Sequence, residues 1–216
     1  FTISPVFLKI FDEIITNALD ASVRDSELRK ISVFFDDGVI NVTNDGTGIP
    51  IVLFPGSERT IPEVIFSELH AGSNFKDAGT RTTGGRNGLG AVLTNIWSTS
   101  FSIEVIDPVN GKMIKQNFSD NMGKREGAIQ QSKVSKKGKV SITFTPDYKR
   151  LKINHCDEIL TGILRTRTLE ISACARKGVA VEFNNDILPH ALDKYVKLIS
   201  GQKDEFVIEE NFGGPI

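Results

Sequence analysis

An acid, an amide and a second acid follow one another at helical spacing near the start of the chain, as Glu13, Asn17 and Asp20. Residues four and seven positions apart lie on one face of a helix. A carboxylate such as Glu13 can take the proton from an attacking water, and an amide oxygen such as that of Asn17 suits a magnesium ion that keeps several waters. The alternative is a polar stripe that only faces solvent.

A short glycine-containing segment, Asp45-Gly46-Thr47-Gly48, follows a predicted β-strand. An aspartate at the end of a strand can accept a hydrogen bond from the exocyclic amine of a base. The glycines beside it carry no side chain, so a flat base can approach the backbone. The alternative is a simple Asp-Gly turn between two elements.

A longer glycine-rich segment spans residues 84–90, reads Gly-Gly-Arg-Asn-Gly-Leu-Gly, and directly precedes a predicted helix. Successive glycines let backbone N–H groups converge on an anion, and a helix N-terminus adds unpaired N–H groups with a partial positive charge. No Lys-Ser or Lys-Thr pair follows the glycines and no βαβ pattern surrounds them, which argues against a P-loop and a dinucleotide fold. The three segments, in this order, predict a domain that binds ATP with magnesium.

The first predicted element is the helix that carries Glu13. Ser4-Pro5 is a typical helix start, with a hydroxyl at the N-cap and proline at the first helical position. Apolar residues then recur with a helical period, as Phe7, Phe11, Ile14 and Ala18. The polar stripe therefore lies beside an apolar face that can bury itself against a core.

The remaining pattern predicts an α+β sandwich, in which one mixed, mostly antiparallel sheet carries helices on one face. Strands at 31–35 and 39–43 form a hairpin, and residues 44–50 form a loop. The later predictions are, in order, a helix at 62–71, a loop or lid at 72–90, a helix at 91–97, strands at 101–106, 112–118, 128–133 and 140–145, a helix at 157–176, a strand at 179–183 and a helix at 191–199.

Composition is that of an ordinary globular domain of 216 residues, with 26 basic and 27 acidic side chains and a net charge of −1. A balance this even gives no overall attraction to nucleic acid. No apolar run approaches the ~20 residues that span a bilayer. The two cysteines, Cys156 and Cys174, have no metal-ligand or redox spacing, and we predict buried, reduced thiols. We expect a soluble intracellular protein, in the cytoplasm or nucleus.

These motifs resemble those of the GHKL ATPases, whose nucleotide site is the Bergerat fold. Five segments narrow the resemblance to the ATPase domain of type IIA DNA topoisomerases, and to their eukaryotic, viral and T-even-phage branch rather than bacterial gyrase. They are Lys-Ile-Phe-Asp-Glu-Ile at 9–14, Thr-Gly-Gly-Arg-Asn-Gly-Leu-Gly at 83–90, Leu-Thr-Asn-Ile-Trp-Ser-Thr-Ser-Phe at 93–101, Asp-Asn-Met-Gly at 120–123 and Ile-Thr-Phe-Thr-Pro-Asp at 142–147. The resemblance covers nearly the whole chain.

The resemblance implies a role for each matching residue. Glu13 matches the base that activates water, Asn17 the magnesium ligand, and Asp45 the contact to the adenine amino group. The other positions that it assigns to the nucleotide site are Asp20, Gly48, Ile49, Ser73, Asn74, Arg86, Asn87, Gly88, Leu89, Gly90 and Thr143.

Two positions depart from the pattern of the resembling family. Val92 stands where eukaryotic members have a lysine, so one cation near the phosphates is missing. Val140 stands about where relatives place a threonine that helps to bind adenine, and Ser141 or Thr143 could substitute for it. A further lysine reaches the γ-phosphate from the transducer domain that follows in this family.

The resemblance further implies how such a domain works. ATP binding joins two copies into a homodimeric gate that captures double-stranded DNA within the full-length enzyme, and hydrolysis resets the gate. We expect an ATPase domain at residues 1–205 and the start of the transducer domain at 206–216, with the DNA-cleavage machinery elsewhere. The alternatives are another GHKL ATPase, such as a chaperone or a mismatch-repair clamp, and a nucleotide-binding domain without turnover.

Overall fold

The computed structural model describes residues 3–68, 89–131, 136–154, 157–190 and 192–201. The helices and strands in these ranges follow in this order: α1 Pro5–Arg24, β1 Lys30–Asp36, β2 Val39–Gly46, α2 Ile61–Ile65, α3 Gly90–Ile96, β3 Ser98–Asp107, β4 Lys112–Ser119, β5 Lys124–Gln131, β6 Gly138–Pro146, α4 Asp157–Cys174, β7 Ala180–Phe183, β8 Asp186–Ile187 and α5 Leu192–Ser200. Among the described residues no helix has the length and apolarity needed to cross a membrane.

One eight-stranded sheet forms the framework, in the order β5-β4-β3-β6-β2-β1-β7-β8. Neighbouring strands are antiparallel except β1 and β7, which run parallel. The buried apolar faces of α1 and α4 share one core with the inward residues of β1, β2, β3, β6 and β7, so these helices cover the same face of the sheet. The predicted α+β sandwich is therefore confirmed.

Helix α1 forms because proline occupies its first turn and because its apolar residues form one continuous buried face. Pro5 occupies the first turn, and the Ser4 carbonyl accepts the Phe7 N–H at 3.0 Å. The Ser4 hydroxyl makes no capping hydrogen bond, contrary to the prediction. Phe11 and Ile14 are at most 1% exposed, and each such side chain contributes about 1.5–3 kcal/mol on burial.

Strand β2 extends further than predicted, and this decides which way the site residues face. Its last three residues, Asn44 to Gly46, pair with the first three residues of β6 instead of forming a loop. Successive side chains in a strand point to opposite faces. Asn44 consequently shares the helix-covered face with Ile40 and Val42, whereas Thr43 and Asp45 lie on the other face.

Other predicted boundaries also differ from the structure. Helix α2 ends at Ile65, and the end of the predicted helix, at 69–71, lies outside the described residues. Strand β5 begins at Lys124 rather than at 128 because β4 and β5 pair from Ser119 and Lys124 onward. Cys174 is exposed, so the prediction of a buried thiol is wrong at that position, and Cys156 lies outside the described residues.

Candidate functional site

Glu13 lies in the middle of α1, where α3 approaches it. The Thr94 hydroxyl of α3 donates a hydrogen bond to the Ile10 carbonyl of α1 at 3.0 Å, which fastens the two helices together. Gly90, the first residue of α3, then lies directly against Glu13. A Cβ atom at position 90 would be 2.9 Å from the Glu13 Cβ and would overlap the Glu13 carboxylate. The end of the glycine-rich segment is therefore next to Glu13, the predicted general base.

The other polar residues of α1 extend this arrangement along the helix. Lys9 Nζ lies 2.5 Å from Glu13 Oε1, one turn earlier, and the Glu13 side chain remains 24% exposed. Asn17 is exposed one turn later, and its amide makes no hydrogen bond with the described part of the chain. Asp20 is 5% exposed and points inward. The surface of α1 thus presents a carboxylate and an amide on adjacent turns.

Asp25, just after α1, fastens the turn that follows β2. Asp25 Oδ2 accepts hydrogen bonds from the Thr47 N–H at 2.6 Å and the Thr47 hydroxyl at 3.0 Å, and Oδ1 accepts the Glu27 N–H at 2.9 Å. Burial acts to raise the pKa of Asp25, but the Thr47 and Glu27 hydrogen bonds and the Arg176 charge outweigh it and lower this pKa. The carboxylate is accordingly ionised when it holds the turn.

Gly46 is required at the contact between α1 and this turn. Its φ of +113° lies in the left-handed region, which side chains other than glycine rarely adopt. A Cβ atom here would also overlap the Asp25 carboxylate and lie 3.2 Å from the Leu28 Cβ. The glycine therefore permits the close approach that the Asp25–Thr47 hydrogen bonds require.

The segment after Gly48 is held by the last residue of β3, Asp107. Asp107 is 2% exposed, and its Oδ2 accepts the Ile51 N–H at 2.7 Å. Burial acts to raise the pKa of Asp107, but hydrogen bonds from Ile51, Asn110 and the neighbouring backbone lower it overall. Ile49, between these points, packs against both apolar clusters of the domain. Two aspartates thus fix the segment that carries Gly48 and Ile49.

Asp45 and Thr143, both predicted adenine contacts, lie on the face of the sheet that the helices leave uncovered. Asp45 Oδ1 accepts the N–H groups of Arg29 and Lys30, both at 2.8 Å. Its side chain borders a cavity of about 340 Å³ on that face. Thr143 accepts a hydrogen bond at 2.7 Å from Asn41, which faces the same way. The structure therefore does not bring these two side chains to Glu13.

Asn44, directly before Asp45, is a further candidate that was not predicted from the sequence. It is 8% exposed, lies on the helix-covered face and donates through Nδ2 to the Asp45 carbonyl at 2.9 Å. Its neighbour across the strands is Val140, the position where the resembling family has threonine. The alternation Ile40, Val42, Asn44 in the sequence was the signal that could have identified it.

The remaining predicted positions are only partly described. Leu89 is partly buried at the N-cap of α3, and its carbonyl accepts the Leu93 N–H at 2.9 Å. Val92, where the resemblance predicts a lysine, is fully buried. The following residues lie outside the described ranges: Ser73, Asn74, Arg86, Asn87 and Gly88.

The donor set indicates what kind of metal site is compatible with these residues. In the described ranges no three His, Cys, Asp or Glu side chains cluster as a metal site would require. Magnesium commonly uses one or two protein oxygens, with water and phosphate oxygens completing its shell. The exposed Asn17 amide on α1 fits such a site only together with a bound phosphate.

Comparison with known proteins gives several type II DNA topoisomerases as relatives. DNA topoisomerase 2 of Arabidopsis thaliana is 37% identical over 190 residues, which are 87% of this chain and 13% of that protein. The ATPase and transducer domains of DNA topoisomerase II from Balamuthia mandrillaris superpose with a TM-score of 0.85 at 38% identity, covering 91% of this chain and 51% of theirs. The ATPase region of Saccharomyces cerevisiae topoisomerase II gives a TM-score of 0.84 at 36% identity, covering 89% and 51%.

The chain is thus homologous to the ATPase region of type II topoisomerases and spans about 13% of the length of the Arabidopsis relative. Residues 4–150 also match the family described as histidine kinase-, DNA gyrase B- and HSP90-like ATPases. That range runs from the N-cap of α1 to the residues just after β6, and so includes both glycine-containing segments. On this match, the chain belongs to the family of histidine kinase-, DNA gyrase B- and HSP90-like ATPases.

Proposed function

We propose that the chain binds ATP with magnesium along α1 and hydrolyses it, as the ATPase region of a type II DNA topoisomerase. The observation that carries the proposal is the position of Glu13, a partly exposed carboxylate directly against the first residue of α3. Asp25, which follows the last residue of α1, holds the turn after β2. A helix rises 1.5 Å per residue, so Glu13 and Asp25 lie about 18 Å apart along the helix axis, which suits an elongated ligand.

The proposed roles follow from the chemistry of each group. Asn44 has a side-chain oxygen that can accept a hydrogen bond from the adenine amine, because its Nδ2 is already engaged by a backbone carbonyl. Asn17 would hold the magnesium ion, which neutralises phosphate charge when bound. Glu13 would accept the proton of the attacking water. The backbone N–H groups near Gly90, with those of the preceding glycine-rich segment, would surround the phosphates.

The proposed biological role is that of one half of an ATP-driven gate. ATP would join two copies of the region into a dimer, and the full-length enzyme would pass one DNA duplex through another. The transducer and cleavage domains would be its covalent or subunit partners, with the division near residue 205 that the sequence predicts. The relatives described above are type II topoisomerases, which favours this role over a chaperone or a mismatch-repair clamp.

The decisive experiment is calorimetric titration of the chain with a non-hydrolysable ATP analogue, with and without magnesium. We expect saturable binding that weakens when magnesium is removed. The corresponding GTP analogue serves as the control, and we expect it to bind more weakly because guanine offers a carbonyl where adenine offers an amine. A chain that binds no adenine nucleotide would overturn the proposed function.

A further inference from the structure

Asp25 joins helix α1 to the turn after β2, and we assign it no direct contact with the nucleotide. It follows the last residue of α1, the helix that carries Glu13 and Asn17. Its carboxylate accepts both donors of Thr47, in the turn that begins three residues after Asn44. A single side chain therefore connects the C-terminal end of α1 with the turn next to the residue that we propose as the adenine contact.

The connection between α1 and β1 is fastened from two further directions. Asp45 Oδ1 accepts the N–H groups of Arg29 and Lys30, which ties the start of β1 to the end of β2. Arg176, just beyond α4, donates through Nε to the Ser22 carbonyl and through Nη2 to the Leu28 carbonyl, both at 2.9 Å. With these contacts in place, Asp25 is a fixed support for the Thr47 turn.

We propose that Asp25 is a positioning residue that sets the selectivity of the site for adenine, an inference that rests on the proposed ATP site. By holding Thr47, it would fix the position of Asn44 relative to α1. Selection between bases depends on whether buried donors and acceptors meet their partners, and an unpaired group costs far more than a lost apolar contact. Displacement of the turn would therefore reduce the selectivity of the site for adenine more than its affinity for the phosphates.

The test compares the affinities for an ATP analogue and for the corresponding GTP analogue in the wild type, Asp25→Ala and Asp25→Asn. Alanine removes every acceptor, whereas asparagine keeps one oxygen of the same size. The matched control is Asp36→Asn, which removes an equal charge from an exposed position at the end of β1. Calorimetry gives both dissociation constants, and the melting midpoint of each variant shows that the measurements are made on folded protein.

We expect Asp25→Ala to reduce the preference for ATP over GTP by about tenfold, equivalent to one lost hydrogen bond of about 1.4 kcal/mol. Asp25→Asn should fall between Ala and the wild type, and Asp36→Asn should match the wild type. An unchanged ATP-to-GTP ratio in Asp25→Ala, accompanied only by a lower melting midpoint, would reduce Asp25 to a structural role and overturn the inference.

A milder variant keeps the inference testable if both Asp25 variants fail to fold. Thr47→Val removes the hydroxyl donor and leaves the 2.6 Å hydrogen bond from the Thr47 N–H. We expect a smaller loss of ATP preference in the same direction, and an unchanged ratio would again overturn the inference. Failure of the proposed function gives a different result, because the wild type itself would then bind no adenine nucleotide.

Discussion

Gly90 lies so close to Glu13 that a Cβ atom at position 90 would be 2.9 Å from the Glu13 Cβ and would overlap its carboxylate. Gly90→Ala should therefore displace the group that we propose as general base. A misplacement of about 1 Å can cost on the order of 10²-fold in rate. We expect single-turnover ATP hydrolysis to fall by about 10- to 100-fold, with a smaller change in affinity for the ATP analogue.

A second glycine provides the matched control for this substitution. Gly162 lies in α4, and a Cβ atom there would meet nothing within 4 Å apart from the neighbouring backbone of its own helix. Gly162→Ala should leave hydrolysis unchanged and stabilise the fold by roughly 0.5–1 kcal/mol, because alanine loses less backbone entropy in a helix. If Gly90→Ala hydrolysed ATP at the wild-type rate, the reaction would not depend on the position of the Glu13 carboxylate.

Glu13→Gln separates binding from chemistry. The amide has nearly the same size as the carboxylate but cannot accept the proton of water, and general-base catalysis typically contributes about 10²–10⁴-fold. We expect a loss of that order in single-turnover hydrolysis and nearly unchanged affinity for the ATP analogue. The control is Glu58→Gln, an exposed glutamate in the segment before α2. Lost binding with preserved turnover would contradict the role of Glu13.

Local features of the fold were predictable from the sequence because they depend on neighbours along the chain. The apolar period of α1 predicts its buried face, and Phe7 and Phe11 are both fully buried. The Asp36-Asp37-Gly38 turn predicts the β1–β2 hairpin, and Asp37 and Gly38 have positive φ of 44° and 74°. Both predictions were correct to within a few residues.

The candidate site was less predictable because contacts between distant segments orient it. The pairing with β6, almost a hundred residues later, extends β2 to Gly46 and so places Asn44, rather than Asp45, on the helix-covered face. Asp25 is inconspicuous in the sequence, since its partner Thr47 lies 22 residues further on. Local propensity cannot supply such pairings, which is why the sequence predicts helix α1 but not which side chain at the end of β2 lies on the helix-covered face.

Either Asn44 or Asp45 could be the adenine contact, and substitutions at the two positions distinguish these interpretations. Asn44→Ala should weaken ATP-analogue binding by about 5- to 150-fold, because a hydrogen bond of about 1–3 kcal/mol to the base is lost. Asp45→Asn should have little effect, because the amide oxygen can still accept the N–H groups of Arg29 and Lys30. Titration of both variants distinguishes them. A loss confined to Asp45→Asn would restore the assignment predicted from the sequence.

The last prediction concerns pH and Asp107, whose pKa is lowered in the folded chain. A carboxyl with a lowered folded pKa stabilises the fold above its unfolded pKa, near 4, and this contribution disappears as the pH falls through the folded pKa. Asp107→Asn replaces an acceptor oxygen by an NH₂ group that opposes the backbone N–H groups of Val109 and Asn110. We expect a loss of about 1–3 kcal/mol at pH 7.

The difference in unfolding free energy between the wild type and Asp107→Asn should therefore narrow below about pH 4, as the wild-type carboxylate gains a proton. Urea titrations from pH 7 to pH 3 measure this difference, and Asp36→Asn, at an exposed position, controls for general charge effects. Because Asp107 holds Ile51, the affinity for the ATP analogue should fall together with stability at neutral pH. A difference that stays constant over this range would mean that the negative charge of Asp107 does not hold the segment.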